Sequence, residues 1–319
     1  FWPLLLFGIS VVVGIYLLTK GGDWLSDHCS DLASSLGVPS VIIGLTIVSI
    51  ATSVPELFTS IAALRNHSTG MVLGNVIGSN VANIGLILGI SLIIKPIETK
   101  GVIPTSQIFF LFGLTIFFSI ALTIQGDQGI EWVIGSILLI YIFAYLLFIT
   151  LGAIRSSTLN HQTNEVGPSN PVIPSLAMIV FATIALWVGS DALVFGAKNF
   201  ALSAGIPEEL IGFTLIALGT SLPELAASLA LLKKGESGML LGNVLGSNMF
   251  NIGLVGGVAG VLGPVLSNTP YPWIDYLFMI LFTALLCFWL RGRKIEKKEG
   301  YLLLALYIVA TSTTWTLNG

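Results

Sequence analysis

Charge is what this chain lacks. Only 9% of its 319 residues are Asp, Glu, Lys or Arg, against 55% hydrophobic, and its mean hydropathy is +0.95. A soluble globular domain carries roughly a quarter charged residues, so the composition excludes one of any size. Cysteine is nearly missing too: Cys29 and Cys287 alone give no disulfide framework and no thiolate metal cluster. The three histidines, His28, His67 and His161, fall in loops or near span ends, where solvated surface is their expected place. No Ser-His-Asp or zinc-protease arrangement is present, so enzyme chemistry is not expected. The net charge of −3 is small and spread out, which points to neither nucleic acid nor an acidic membrane surface as a partner. Long polar segments are absent as well; the longest, from about Arg155 to Pro171, is a linker rich in Ser, Thr, Asn and Pro.

What is present is a series of apolar runs. A membrane-spanning helix needs roughly 20 mostly apolar residues. Ten such segments fit, near 2–20, 39–64, 70–94, 105–124, 130–152, 172–199, 208–232, 238–265, 272–291 and 299–317. The first is followed at once by further spans and lacks a small-residue cleavage site, so it reads as a helix of the mature protein rather than a signal peptide. The expected fold is an all-α multi-pass membrane protein: residues 1–152 form five spans, 153–171 the linker and 172–319 five more. Alternating the loops puts eleven Lys and Arg on one side and only Arg65 and Lys198 on the other. The basic side is expected to be cytoplasmic, with the linker inside and both termini outside a cell membrane.

The chain also repeats itself. Residues 39–97 align without a gap to 207–265 at a constant offset of 168, with about 27 of 59 pairs identical. The first copy reads IATSVPELFTS and then GMVLGNVIGSNVANIGL; the second reads LGTSLPELAAS and then GMLLGNVLGSNMFNIGL. The match reaches back weakly through Pro39 and Pro207 to Asp23 and Asp191, so each repeat covers about half the chain. With five spans per repeat, the second copy enters the membrane from the opposite face, giving two inverted repeats about an axis in the membrane plane. Asp23 and Asp191 are expected at the ends of the first and sixth spans, as helix caps or loop hydrogen-bond partners.

Glu56 and Glu224 occupy the middle of otherwise apolar spans. A carboxylate there costs at least a few kcal/mol unless something compensates it. The mid-membrane stretches contain no Lys or Arg to do so, which leaves a cation from solution. Pro55 and Pro223 precede the two glutamates, and proline inside a helix removes a backbone hydrogen bond. Carbonyls of Ser49 or Thr52, and of Ala217 or Thr220, thereby become candidate ligands. A lone proline would read as a packing kink; a repeated Thr-Ser-x-Pro-Glu favours an ion site. Thr52 and Ser53 lie four and three residues before Glu56 and share its helical face, as Thr220 and Ser221 do toward Glu224. In the next span Asn75, Ser79 and Asn83 recur every four residues, and Asn243, Ser247 and Asn251 repeat the stripe. For Asn75, Asn243, Asn80 and Asn248, interhelical glue and ion coordination both remain open. All these ligands are hard oxygens. Calcium takes about six to eight oxygens at roughly 2.3–2.6 Å, and sodium, of similar radius, uses the same kind; zinc or copper would call for imidazole or thiolate. Two carboxylates balance one Ca2+, while about three Na+ in its place leave the loaded site net positive, so electrogenic exchange is expected.

The paired motifs TSVPEL with GSNVANIG, and TSLPEL with GSNMFNIG, resemble the two alpha repeats of the sodium/calcium exchanger family, within the cation/calcium antiporter superfamily. The resemblance spans nearly the whole chain and is to the compact prokaryotic members, because the linker is too short for the calcium-sensing domains of animal exchangers. It implies an antiporter that swaps Ca2+ for Na+ by alternating access, works as a monomer and needs no cofactor. It also implies that Glu56, Glu224 and the backbone oxygens of Thr52 and Thr220 hold Ca2+. Overlapping Na+ sites would use Ser49, Thr52, Ser53 and Ser79 in one half and Ala217, Thr220, Ser221 and Ser247 in the other, with Asn83 and Asn251 completing the centre. Potassium-dependent relatives place Asp at the position of Asn251, so potassium independence is expected. In the family the first and sixth spans slide across the rest. Proton-driven calcium exchange is the alternative, although such antiporters usually carry Gly-Asn before the Glu-containing turn, which is not seen here. A cation channel is the alternative of a different class.

Overall fold

The computed structural model describes residues 2–66, 69–125, 130–161, 172–205, 217–263, 272–292 and 294–318. Helix α1 spans Trp2–Leu36. Helix α2 starts at Ser40–Ile43, passes through a π-helical turn at Gly44–Val48 and continues as Ser49–Arg65. Helix α3 is Thr69–Ala82, a second π turn at Asn83–Leu88, and Gly89–Ile94. Then come α4 (Thr105–Gln125), α5 (Trp132–His161) and α6 (Val172–Ser203). Helix α7 is in two described pieces, Ala217–Gly219 and Leu222–Lys234. Helix α8 joins Ser237–Phe250, a π turn at Asn251–Gly256 and Gly257–Leu262; α9 (Trp273–Leu290) and α10 (Lys297–Asn318) follow.

Eight of these helices are long and apolar enough to cross a bilayer. The other two are α7, whose described part is short, and α10, which opens on Lys297, Lys298 and Glu299 and carries Thr311, Ser312, Thr313, Thr314 and Thr316 near its end. Several details depart from the sequence expectation. The first span was placed at 2–20, yet α1 runs on to Leu36: no proline interrupts it, and Leu25, Cys29, Leu32 and Ala33 form a buried stripe at helical spacing beyond the lipid-facing part. Asp23 and Asp191 therefore lie inside α1 and α6 rather than at helix ends. Likewise α5 continues to His161, into the segment read as linker. Two short strands interrupt the all-helical picture: β1 (Ile97–Glu98) pairs antiparallel with β2 (Lys294–Ile295), setting Glu98 opposite Lys294.

The core lies along α8 and α3. Every residue from Met239 to Gly253 is buried, so α8 is apolar or small on all sides, as a central helix must be. Its glycines set how close α2 comes: a methyl group on Gly242 would sit 2.5 Å from the Val41 carbonyl and 2.8 Å from the Leu45 amide. Such small residues let backbones approach where no hydrophobic drive separates helix from lipid. By contrast α1, α5 and α6 present Val12, Tyr16, Ile140, Leu147, Val180 and Phe181 outward, an apolar belt suited to acyl chains. The repeat read in the sequence reappears in the elements: Thr69–Ala82, Asn83–Leu88 and Gly89–Ile94 recur, shifted by 168, as Ser237–Phe250, Asn251–Gly256 and Gly257–Leu262.

Candidate cation site

Glu56 on α2 and Glu224 on α7 are each 1% exposed and lie within electrostatic reach of one another. Two like charges buried together are unfavourable unless something positive lies near. Among the described residues no Lys or Arg forms an ion pair with either; ion pairs elsewhere include His28 with Asp31, Lys234 with Asp27, and Lys298 with Glu296 and Glu299. Of the four carboxylate oxygens, only Oε1 of Glu224 receives a hydrogen bond, from Ser53 Oγ at 3.2 Å. Glu56 Oε1 and Oε2, Glu224 Oε2, Asn83 Oδ1, Asn251 Oδ1 and Ser221 Oγ are buried oxygens with no partner in the protein. These donors are carboxylate, amide and hydroxyl oxygens, the kind that suits a hard cation.

The remaining residues singled out in the sequence are also at this depth. Ser49, Thr52, Ser53, Ser79, Asn83, Ser221, Ser247 and Asn251 are buried, and Thr220 is half-buried. Ala217 opens the described part of α7, and its side chain lies outside the described residues. The hydroxyl of Ser49 donates to Thr46 O at 3.2 Å, and its main-chain oxygen accepts from Thr52 Oγ1 at 3.4 Å. Thr52 and Ser53, expected on the face of Glu56, reach across to the other half: Ser53 to Glu224, and Thr52 Oγ1 to Asn243 Oδ1 at 3.3 Å and Ser247 Oγ at 3.4 Å.

That crossing is reciprocal. Thr52 meets Asn243, and Thr220, its equivalent 168 residues on, meets Asn75 Oδ1 at 3.4 Å. Residue i of one copy touching j of the other, with j touching i in return, is the mark of a two-fold relation. Each asparagine then donates to the serine four residues after the glutamate of its own half: Asn75 Nδ2 to Ser60 Oγ at 2.9 Å, Asn243 Nδ2 to Ser228 Oγ at 3.2 Å. Asn75 also holds the main-chain oxygen of Glu56 at 3.0 Å. Asn75 and Asn243 thus tie the two halves together beside the carboxylates. Asn83 and Asn248 add another tie, Nδ2 to Oδ1 at 3.0 Å. Sequence reading passed over Ser60 and Ser228, though their identity in both copies and their spacing from the glutamates were there to be used.

The prolines act unequally. The carbonyl deprived of an amide lies four residues earlier, so Pro55 acts on Ala51 and Pro223 on Gly219, not on the carbonyls of Ser49, Thr52, Ala217 or Thr220 as expected. Helix α2 nonetheless runs unbroken through Pro55. Helix α7 breaks at Thr220–Ser221, and Pro223 sits in the first turn of the helix that restarts at Leu222, where it needs no donor.

Many apolar helices packed around two buried carboxylates, with neutral oxygens buried beside them, define a multi-span membrane protein whose central donors suit a hard cation. The family model for the sodium/calcium exchanger protein matches residues 6–151 and 174–316, and this chain belongs to that family. It is 36% identical over 311 residues to an uncharacterised membrane protein of Methanocaldococcus jannaschii, covering 97% of this chain and 99% of that one. To the sodium/calcium exchanger MaX1 of Methanosarcina acetivorans it is 29% identical over 337 residues, covering 94% and 96%. The structure of the sodium-calcium exchanger NCX_Mj soaked with zero Na+ and Ca2+ superimposes with a TM-score of 0.84 at 34% identity, covering 97% of this chain and 99% of that one. Membership places the chain among membrane antiporters for Na+ and Ca2+.

Proposed function

We propose that the chain exchanges one Ca2+ for about three Na+ at one central site, by alternating access between two inverted five-span repeats. In this reading Glu56, Glu224 and the main-chain oxygens of Thr52 and Thr220 hold Ca2+. Ser49, Ser53 and Ser79, with Ala217, Ser221 and Ser247, supply the flanking Na+ sites, and Asn83 and Asn251 complete the centre. The observation that carries it is the pair of buried carboxylates, three of whose four oxygens have no donor and neither of which has a basic partner among the described residues. Desolvating such a pair costs several kcal/mol, and a transient cation offsets that cost without a permanent countercharge. The reciprocal Thr–Asn contacts support a two-fold relation between the halves. The inversion follows from counting α7 and α10 as spans, which gives ten, and from the odd number in each repeat.

One net positive charge then moves per cycle, so transport responds to voltage by about 2.3 kcal/mol per 100 mV. The uneven Lys and Arg distribution orients both termini outside the cytoplasm, in the cell membrane. Asn251, neutral where potassium-dependent relatives carry Asp, makes the exchange independent of K+. The test is Ca2+ uptake into proteoliposomes loaded with Na+. Uptake that follows the outward Na+ gradient, carries current, persists with a protonophore and ignores K+ is the expected result. Uptake that follows a pH gradient and collapses with the protonophore would establish proton exchange instead, and current without any counter-ion would establish a channel.

A further inference from the structure

The Gly219 carbonyl, which Pro223 deprives of its amide, is buried, and a buried carbonyl without a donor is costly. It does have a donor: Ser190 Oγ, from the middle of α6, lies 2.5 Å away. This is not the usual habit of a helical hydroxyl, which bonds back to its own preceding turn. Two others on the same helix do so, Thr183 to Ile179 O at 2.8 Å and Ser203 to Asn199 O at 2.7 Å. Ser190 instead replaces, from a different helix, the very hydrogen that proline withholds. Helix α6 presses on the break at a second point, because a methyl group on Gly219 would lie 2.6 Å from Val194 Cγ2.

The first repeat has no such device. The positions 168 residues earlier are Gly22, Ala51 and Pro55, so the mirror carbonyl exists and the mirror hydroxyl does not. Nor is there room for one: a Cβ on Gly22 would sit 2.7 Å from the Ala226 carbonyl, where α1 backs onto α7. The difference between the halves is therefore written in the sequence.

We propose that Ser190 is a positioning residue that fastens the break in α7 to α6, so that displacement of α6 and ion binding at Thr220–Glu224 are coupled on this half of the protein alone. The proposal rests on the exchange function above. Helix α6 otherwise turns much of its surface, including Val180, Ile184 and Val188, to the outside, which makes a buried hydrogen bond beside the site consequential.

The experiment compares wild type, Ser190→Ala, Ser190→Thr, Pro223→Ala and the double variant Ser190→Ala with Pro223→Ala, in proteoliposomes. Ser190→Ala is expected to weaken apparent Ca2+ and Na+ affinity by about five- to ten-fold, and Ser190→Thr to stay within about two-fold of wild type. Pro223→Ala restores an amide able to serve the Gly219 carbonyl, so adding Ser190→Ala to it should change little. Should Pro223→Ala stop turnover, the same set is read by the rise in thermal stability that Ca2+ confers on the detergent-purified proteins. Unchanged affinity in Ser190→Ala, or an equal loss with and without Pro223, overturns the proposal. Failure of the wild type itself to exchange would overturn the exchange reading instead.

Discussion

In the first half α2 continues as helix through Pro55, whereas in the second the helix stops at Gly219 and resumes at Leu222. The motif is the same, Thr-Ser-x-Pro-Glu, and among the neighbours that differ Ala51 stands where the second copy has Gly219. Glycine inside a helix is worse than alanine by about 1 kcal/mol, and it adds to a proline four residues on. The side chains follow. Ser53 donates to Glu224, but the mirror bond from Ser221 to Glu56 is not made, and both those groups are left without a partner in the protein. Further out the symmetry holds, since Thr52 with Asn243 and Thr220 with Asn75 match to 0.1 Å. The repeats thus share a scaffold and differ beside the two glutamates, an asymmetry that the proposed alternating access would require of any single conformation.

The largest effect expected is one the two halves should share. Glu56→Gln and Glu224→Gln each remove a charge from the proposed buried dication site, at about 3 kcal/mol or more, so Ca2+ transport should fall by roughly 100-fold or beyond while the protein still folds. Near-normal transport by either variant would mean that only one carboxylate serves the ion. The comparison is sharpened by Ser53→Ala against Ser221→Ala. In the conformation described here the first loses a hydrogen bond to a carboxylate and the second loses none, so Ca2+ affinity should drop by about five-fold more for Ser53→Ala. Equal losses would indicate that the two serines are equally engaged over the cycle. The symmetric part predicts the reverse pattern. Double-mutant cycles for Thr52 with Asn243 and for Thr220 with Asn75 should give the same coupling, about 0.5–1 kcal/mol in thermal unfolding, and Thr52 with Asn75 close to none. Smallest of all, Lys234→Ala breaks an ion pair with Asp27, whose side chain is 59% exposed, and should alter stability by less than about 1 kcal/mol.

Much of this was legible in the sequence. The span read at 105–124 is Thr105–Gln125, and that at 272–291 is Trp273–Leu290, because long apolar runs bounded by polar residues leave little choice. The depth of Glu56 and Glu224, and the lack of a basic neighbour among the described residues, also followed from position alone. Amphipathic extensions were harder: residues 21–36 of α1 alternate Asp and Ser with Leu and Cys, and hydropathy ends a span where polar residues begin although the helix does not. Helical periodicity told which residues share a face, but not which helix that face meets. So Thr52 and Ser53 could be placed on the face of Glu56, while their hydrogen bonds to Asn243 and Glu224 of the opposite half could not be read. The pairing of Ile97–Glu98 with Lys294–Ile295 involves two residues per strand, too few to show any alternation. The break in α7 could have been suspected from Gly219 and Pro223 together, and Ser190 only once the offset of 168 was carried back to Gly22.

Equilibrium binding of Ca2+ to the purified protein in detergent, titrated with Na+, addresses the shared carboxylate site without any transport step. One Ca2+ per chain, displaced cooperatively by Na+ and lost in both Glu56→Gln and Glu224→Gln, is the result this account predicts. Ca2+ that binds undiminished to either variant, or that Na+ fails to displace, would contradict it.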